Sequence, residues 1–200
     1  QVVENYKPTF KIDPEWEMVE LENICKNIKN IINPKGLTGP INYVGLENIT
    51  KNNGELFGNI KSEISEIKSM KLKFQKKNVL YAKLRPNLNK VYYAEINGIC
   101  STDIIVLKFE EDKARPRLYS SIMREQWFNK KVLNGIKGAQ LPRIGWDHFK
   151  KIKVPLPPIK IQQQIVTQIE SEQKIIDANK ELITIFENKI KDKIVDVWSK

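Results

Sequence analysis

The sequence predicts an α+β protein: one globular domain with a small mixed sheet, followed by a long C-terminal helix of the coiled-coil type. Three observations carry this expectation. Residues 78–109 are rich in β-branched and aromatic side chains and are punctuated by polar turns, as strands are. Residues 116–133 carry apolar side chains at helical spacing. From residue 159 to residue 200 there is neither Gly nor Pro, and Ile169, Ile176, Ile183, Ile190 and Val197 recur every seven residues. The chain divides accordingly into an extended lead-in (1–15), a globular domain (16–154) and the helix (155–200).

The lead-in carries Pro8 and Pro14 and has no sustained period. It lacks an initiating Met, which suggests either a segment cut from something longer or a processed chain. Trp16, Met18, Val19 and Leu21 suggest a short strand. Leu21, Ile24, Cys25, Ile28, Ile31 and Ile32 then follow helical spacing until Asn33-Pro34-Lys35-Gly36 breaks it. A strand is expected over 41–46, and Asn52-Asn53-Gly54 is a tight-turn signal. Ile60, Ile64 and Ile67 fit either a short helix or parts of two strands.

The centre reads as three strands, over 78–84, 90–94 and 99–109, the last turned by Asn97-Gly98. A helix follows over 116–133, where Met123 and Trp127, one turn apart, are expected in the core. Asp147 is placed to cap a short turn, and 151–154 alternates as a last strand. Pro157 and Pro158 then end any ladder and suit the start of a helix, where a missing N–H costs nothing. At 1.5 Å per residue that helix would reach roughly 60 Å. It is too long to bury its stripe on a small domain, so a protruding arm is favoured over a surface helix that covers its own domain. Its pairing seam is Ile169, Ile176, Ile183, Phe186, Ile190 and Val197. Glu172, Asn179 and Lys193 fall at alternate core positions, where polar residues set register and partner number.

Composition narrows the function. Hydrophobic content of 40% and charged content of 29% describe an ordinary globular chain. No apolar run approaches the about 20 residues that span a bilayer, and no signal-peptide pattern opens the chain. The two cysteines, Cys25 and Cys100, lack C-x-x-C spacing, and with the single His148 they compose no ordinary zinc site. A reduced, cytoplasmic protein without membrane contact is the expectation. Thirty-four Lys and Arg against 24 Asp and Glu leave a formal charge of +10, which points to a polyanion, nucleic acid first.

Catalytic motifs are scarce. The chain has no glycine-rich cofactor loop, no Asn/Asp-Pro-Pro-aromatic motif and no G-x-x-x-x-G-K-[ST] phosphate loop. Asp103, Glu111 and Lys113 loosely echo the carboxylate–lysine pattern of a Mg²⁺-dependent nuclease, but Glu110-Glu111-Asp112-Lys113 looks like a solvated turn. His148 has no recognisable nucleophile partner. The chain reads as a binder and not an enzyme, with no cofactor of its own. Loop 85–90 is dense in hydrogen-bonding side chains: Arg forks onto guanine and Asn onto adenine. A solvated polar hairpin is the alternative for that loop. Around Gly135 and Gly138, Lys137, Gln140 and Arg143 supply donors for phosphate or base edges. The expected DNA-binding set is Lys35, Lys83, Arg85, Asn87, Asn89, Lys90, Lys137, Gln140 and Arg143.

Three stretches also resemble a known family. They are residues 16–25 (W-E-M-V-E-L then I-C), residues 79–103, and above all residues 152–166, I-K-V-P-L-P-P-I-K-I-Q-Q-Q-I-V. Together they resemble the DNA-specificity (S) subunit of type I restriction–modification systems, with its target recognition domain and P-L-P-P–helix junction. That family usually has Glu-Gln-Gln where this chain has Ile161-Gln162-Gln163. The resemblance implies double-stranded DNA as ligand and a methyltransferase subunit or domain as partner, with S-adenosylmethionine held on that partner. It also implies a homodimer or a second recognition half joined through the long helix. A complete S subunit has two recognition domains and two such helices, and this sequence holds one of each. A half-length subunit, half of a full subunit and part of a fused enzyme all fit. The readings set against it are a coiled-coil adaptor that binds protein only, and the small nuclease.

Overall fold

The computed structural model describes residues 12–136 and 142–198. The expected class is the one found: a mixed α+β domain with a long C-terminal helix. The sheet structure is more elaborate than one small sheet. Among the described residues there are a two-stranded, a four-stranded and a five-stranded sheet.

The four-stranded sheet organises the domain. It holds β2 (Cys25–Asn27), β7 (Val79–Ala82), β8 (Val91–Tyr93) and β10 (Ile104–Phe109), in the antiparallel order β2-β10-β7-β8. Successive side chains of a strand point to opposite faces. Ile105, Leu107 and Phe109 therefore join Val79 and Tyr81 in one core, while Ile104 and Val106 join Leu80 in another. A sheet covered on both faces needs apolar residues at every position, which is why 104–107 reads as an unbroken apolar run.

On one face lie the helices α1 (Pro116–Ile122), α2 (Gln126–Asn134) and α3 (Trp146–Phe149). Tyr81, Phe128 and Phe149 pack there as an aromatic cluster. On the other face lies the five-stranded sheet, in the order β3-β6-β9-β4-β5. Its strands are β3 (Ile31–Ile32), β4 (Pro40–Val44), β5 (Lys61–Glu63), β6 (Lys71–Phe74) and β9 (Gly98–Cys100). The parallel pair β4–β9 makes this sheet mixed. Finally β1 (Glu17–Glu20) pairs antiparallel with β11 (Lys153–Leu156), so the entry and exit of the domain lie side by side.

Several local expectations are corrected. Residues 21–32 are not a helix. A single 3-10 turn, Leu21–Asn23, buries Leu21, Ile24 and Cys25 at i, i+3 and i+4. The chain then enters two different sheets, because pairing of Cys25 with Phe109 and of Ile31 with Leu72 outweighs the local period. The strand expected over 99–109 is broken by a turn at residues 101–103, where the chain crosses from the five-stranded to the four-stranded sheet. The helix expected over 116–133 is two helices, with Met123 fully buried at the break. Residues 60–67 resolve into β5 and a 3-10 turn, Ile64–Glu66. Gly145 occupies the cap position of α3 and Asp147 its first turn, with no side-chain cap bond.

The long helix α4 runs from Ile159 to Trp198, about 60 Å. Pro158 precedes it, and the carbonyl of Pro158 accepts the N–H of Gln162. Val166 and Ile169 enter the domain core, each 6% exposed. Ile169, expected in the pairing seam, is thus spent on the chain's own domain. Ile176 is half-buried, whereas Ile183, Phe186, Ile190 and Val197 are exposed, Val197 at 71%. Arm and surface-helix readings each hold for part of the element: its root is domain and its far half stands free.

Candidate nucleic-acid interface

The hairpin β7–β8 closes with Ala82 N–H bonded to the carbonyl of Lys90. Its tip, residues 83–90, holds a 3-10 turn, Pro86–Leu88, flanked by Arg85 at φ +50° and Asn89 at φ +49°. Left-handed conformation costs an ordinary residue roughly 1–2 kcal/mol. Surrounding bonds hold it in place. Arg85 N–H donates to Pro142 O at 2.9 Å, Asn129 Nδ2 to Pro86 O at 2.8 Å, and Asn89 N–H to Pro86 O at 2.9 Å. Strain concentrated on an exposed Arg is an arrangement typical of binding sites.

A second strand-like segment lies along the tip. Leu84 bridges antiparallel to Arg143, and Ile144 N–H donates to Lys83 O at 3.0 Å. On the other side Lys83 N–H donates to the carbonyl of Asp103, in the turn between β9 and β10. Three segments remote in sequence thus bring Lys83, Arg85 and Arg143 together. The Asp103 carboxylate faces two of the cations, Arg143 Nη2 at 3.3 Å and Lys83 Nζ at 4.0 Å. Arg85, Asn87 and Arg143 are exposed.

Other members of the expected set are placed differently. Asn89 is 5% exposed, and its Nδ2 donates to Arg124 O at 2.7 Å and Asn52 Oδ1 at 3.4 Å. It shapes the tip from inside, which corrects its assignment as a base reader. Lys90 turns inward to donate to Leu46 O at 2.6 Å, and burial, then the nearby charge of Lys51, lowers its pKa. Lys35 is exposed on the turn between β3 and β4, and no bond among the described residues links it to the tip. Lys137 and Gln140 lie outside the described residues.

Sequence reading missed Arg124, which follows α1. Its guanidinium donates to Ser121 Oγ at 3.1 Å, and burial, then the charge of Arg117, lowers its pKa to about 10. Its carbonyl is the group that holds Asn89. Nothing in the sequence distinguishes it from a surface arginine, because its partial burial comes with residues 52–55 closing over β8. Gly54, at φ +69°, makes that closure possible: a Cβ there would lie 1.9 Å from Val91 O.

The nuclease constellation is not assembled. Asp103 and Glu111 flank opposite ends of β10, roughly 25 Å apart at 3.3 Å per residue. Glu111 pairs with Lys77 at 2.8 Å and Lys113 with Glu110 at 2.6 Å. Among the described residues no three His, Cys, Asp or Glu cluster as metal ligands. His148 is exposed, its ring against Gly135 and its Nε2 3.5 Å from Lys131 O.

The family model of the type I restriction modification DNA specificity domain matches residues 14–188, and the chain belongs to that family. It is 30% identical over 104 residues to the type I restriction enzyme EcoDI specificity subunit of Escherichia coli, covering 52% of this chain and 23% of that protein. It is 23% identical over 189 residues to the MjaVIII specificity subunit of Methanocaldococcus jannaschii, covering 90% of this chain and 41% of that one. Two solved structures share the fold. The HsdS subunit from Thermoanaerobacter tengcongensis matches at TM-score 0.71 and 20% identity, over 88% of this chain and 46% of that one. The type I S subunit from M. genitalium matches at 0.60 and 14%, over 90% and 45%. The chain spans less than half the length of each of these relatives.

Proposed function

We propose that this chain reads a short sequence in double-stranded DNA and directs an adenine methyltransferase, with any restriction partner, to it. The observation that carries this reading is the convergence of Lys83 and Arg85 of one strained, exposed hairpin tip with Arg143 of a remote segment that bridges to it. The tip enters the major groove of a half-site. Arg85 and Asn87 read base edges, while Lys83, Arg143, Lys35 and the 137–140 segment meet phosphates that set register and affinity. Before DNA arrives Asp103 pairs with two of these cations and competes with phosphate for them.

The chain performs no chemistry itself in this reading. S-adenosylmethionine and the reacting base belong to the methyltransferase, which must draw the base from the stack to reach it. Ile183, Phe186, Ile190 and Val197 form a seam for a second such helix, from another copy or another recognition half. The same arm docks the methyltransferase. The cytoplasm is where such an assembly meets its DNA; among the described residues no helix is long and apolar enough to cross a membrane.

Selection from random duplex DNA at two salt concentrations tests the reading. A short enriched motif whose affinity falls as salt rises is expected. Arg85→Ala should relax selectivity at one position, by about 1–3 kcal/mol. Absence of binding at both salts would remove DNA as the ligand and favour a protein-only adaptor.

A further inference from the structure

The arm meets its domain at two places with a gap between them. At the root, Gln162, Val166 and Ile169 are buried in the domain. Eleven residues further on, Lys180 Nζ lies 2.6 Å from Glu55 Oε1, an ion pair half-buried on both sides. Between these points an open cleft of about 890 Å³ separates α4 from α1 and β8, so no packed core fixes the tilt of the helix there. Beyond Lys180 every described side chain of α4 is exposed.

The residue that meets Lys180 belongs to a strap that also touches the hairpin tip. Asn52 N–H donates to Asn89 O at 3.1 Å, and Gly54 lies tight against Val91. Thr50 fastens the strap by bonding Asn53 Oδ1 and the backbone of Glu55. The Glu55 carboxylate is thereby held in a fixed relation to the tip, and Lys180 carries that relation to the arm.

We infer that Glu55 and Lys180 are positioning residues that set the tilt of the arm, and with it the separation of half-sites the assembled protein accepts. The inference rests on the DNA-reading function proposed above. Its leverage follows from length. From Ile169 to Trp198 the helix runs about 43 Å, so a tilt of about 5° moves its end by about 4 Å. That is close to the 3.4 Å rise of one base-pair step. A brace near the middle of the arm therefore decides whether one spacer or several are accepted, while the side chains that read bases are untouched.

The test is a low-salt selection with the assembled protein, carrying two recognition domains, against duplexes holding both half-sites separated by random spacers of graded length. Wild type is compared with Glu55→Lys, with Lys180→Glu and with the double reversal. Each single reversal places like charges together and should reduce the preference for one spacer over its neighbours several-fold, with the half-site motif unchanged. The double reversal, which restores opposite charges, should recover the wild-type preference. An unchanged spacer preference in the single variants would overturn the inference and leave the DNA reading intact. Loss of the motif itself would overturn it differently, since the pair would then shape the tip. A wild-type protein that enriches no motif would defeat the DNA reading itself, and the inference with it.

Discussion

Gln162 accepts the backbone N–H of Arg115 on its side-chain oxygen at 2.8 Å, and its amide nitrogen donates to the carbonyls of Lys113 at 2.9 Å and Pro157 at 2.8 Å. Every hydrogen-bonding atom of this fully buried amide is used to stitch the first turn of α4 to the turn that starts α1. Gln162→Ala should destabilise the domain by about 3 kcal/mol, because one buried and two part-buried backbone groups lose their partner, and a buried group left unmet costs about 1–3 kcal/mol. Gln163→Ala, at the exposed neighbouring position, should stay within about 0.5 kcal/mol of wild type. Urea unfolding monitored by tryptophan fluorescence measures both, and equal midpoints for the two variants would show that the latch is unimportant.

Asn87 and Asn89 are two positions apart with opposite expected behaviour. Asn87→Ala should leave stability unchanged and alter the selected DNA sequence. Asn89→Ala loses a buried hydrogen bond and sits badly at positive φ, and should cost about 2 kcal/mol. Asn89→Gly, which tolerates that φ, should cost less. Thermal unfolding alongside DNA selection separates the two positions; the reverse pattern would mean that Asn89 faces the ligand.

Asp103 restrains two cations of the tip, so Asp103→Asn should release them. Affinity for DNA of any sequence should rise, and the salt dependence should steepen by about one counterion. Titration of a labelled duplex at several salt concentrations reads both quantities. Weaker binding to all sequences would show that the carboxylate orients the cations instead of competing for them.

Both thiols are buried, and burial pushes Cys25 and Cys100 up to about 12. In the unfolded chain they titrate near about 8.5. Their folded values lie above their unfolded ones, so the stability they contribute is complete below about pH 8.5 and is lost as pH rises towards 12. Above the unfolded value each thiol should remove about 1.4 kcal/mol per pH unit. Denaturation midpoints from pH 8 to 11 should fall accordingly, and Cys100→Ala should flatten the fall. A thiol reagent at pH 8 should label neither cysteine until the protein unfolds.

The arm illustrates what is legible from one dimension. Its length, its start beside Pro157-Pro158 and its heptad stripe all follow from local spacing, which a helix converts directly into geometry. Which part of that stripe is free is not local. Ile169 and Ile183 occupy the same heptad position, yet the first is buried by α1 and the rest of the domain core while the second meets solvent. The 21–32 segment shows the converse. Its apolar spacing is helical, but Cys25 and Ile31 are drawn into sheets by partners about 84 and 41 residues away in sequence.

The candidate site divides in the same way. Residue type and turn chemistry marked 85–90 as a polar hairpin loop, and the basic composition pointed to a polyanion. Those properties belong to short stretches and to sums over the chain. The inward turn of Asn89 and Lys90, the pairing of Lys83 and Arg143 with Asp103, and the partial burial of Arg124 were decided by the tertiary structure alone. Each depends on which segments distant in sequence lie beside it, and only the packed sheets bring those groups together.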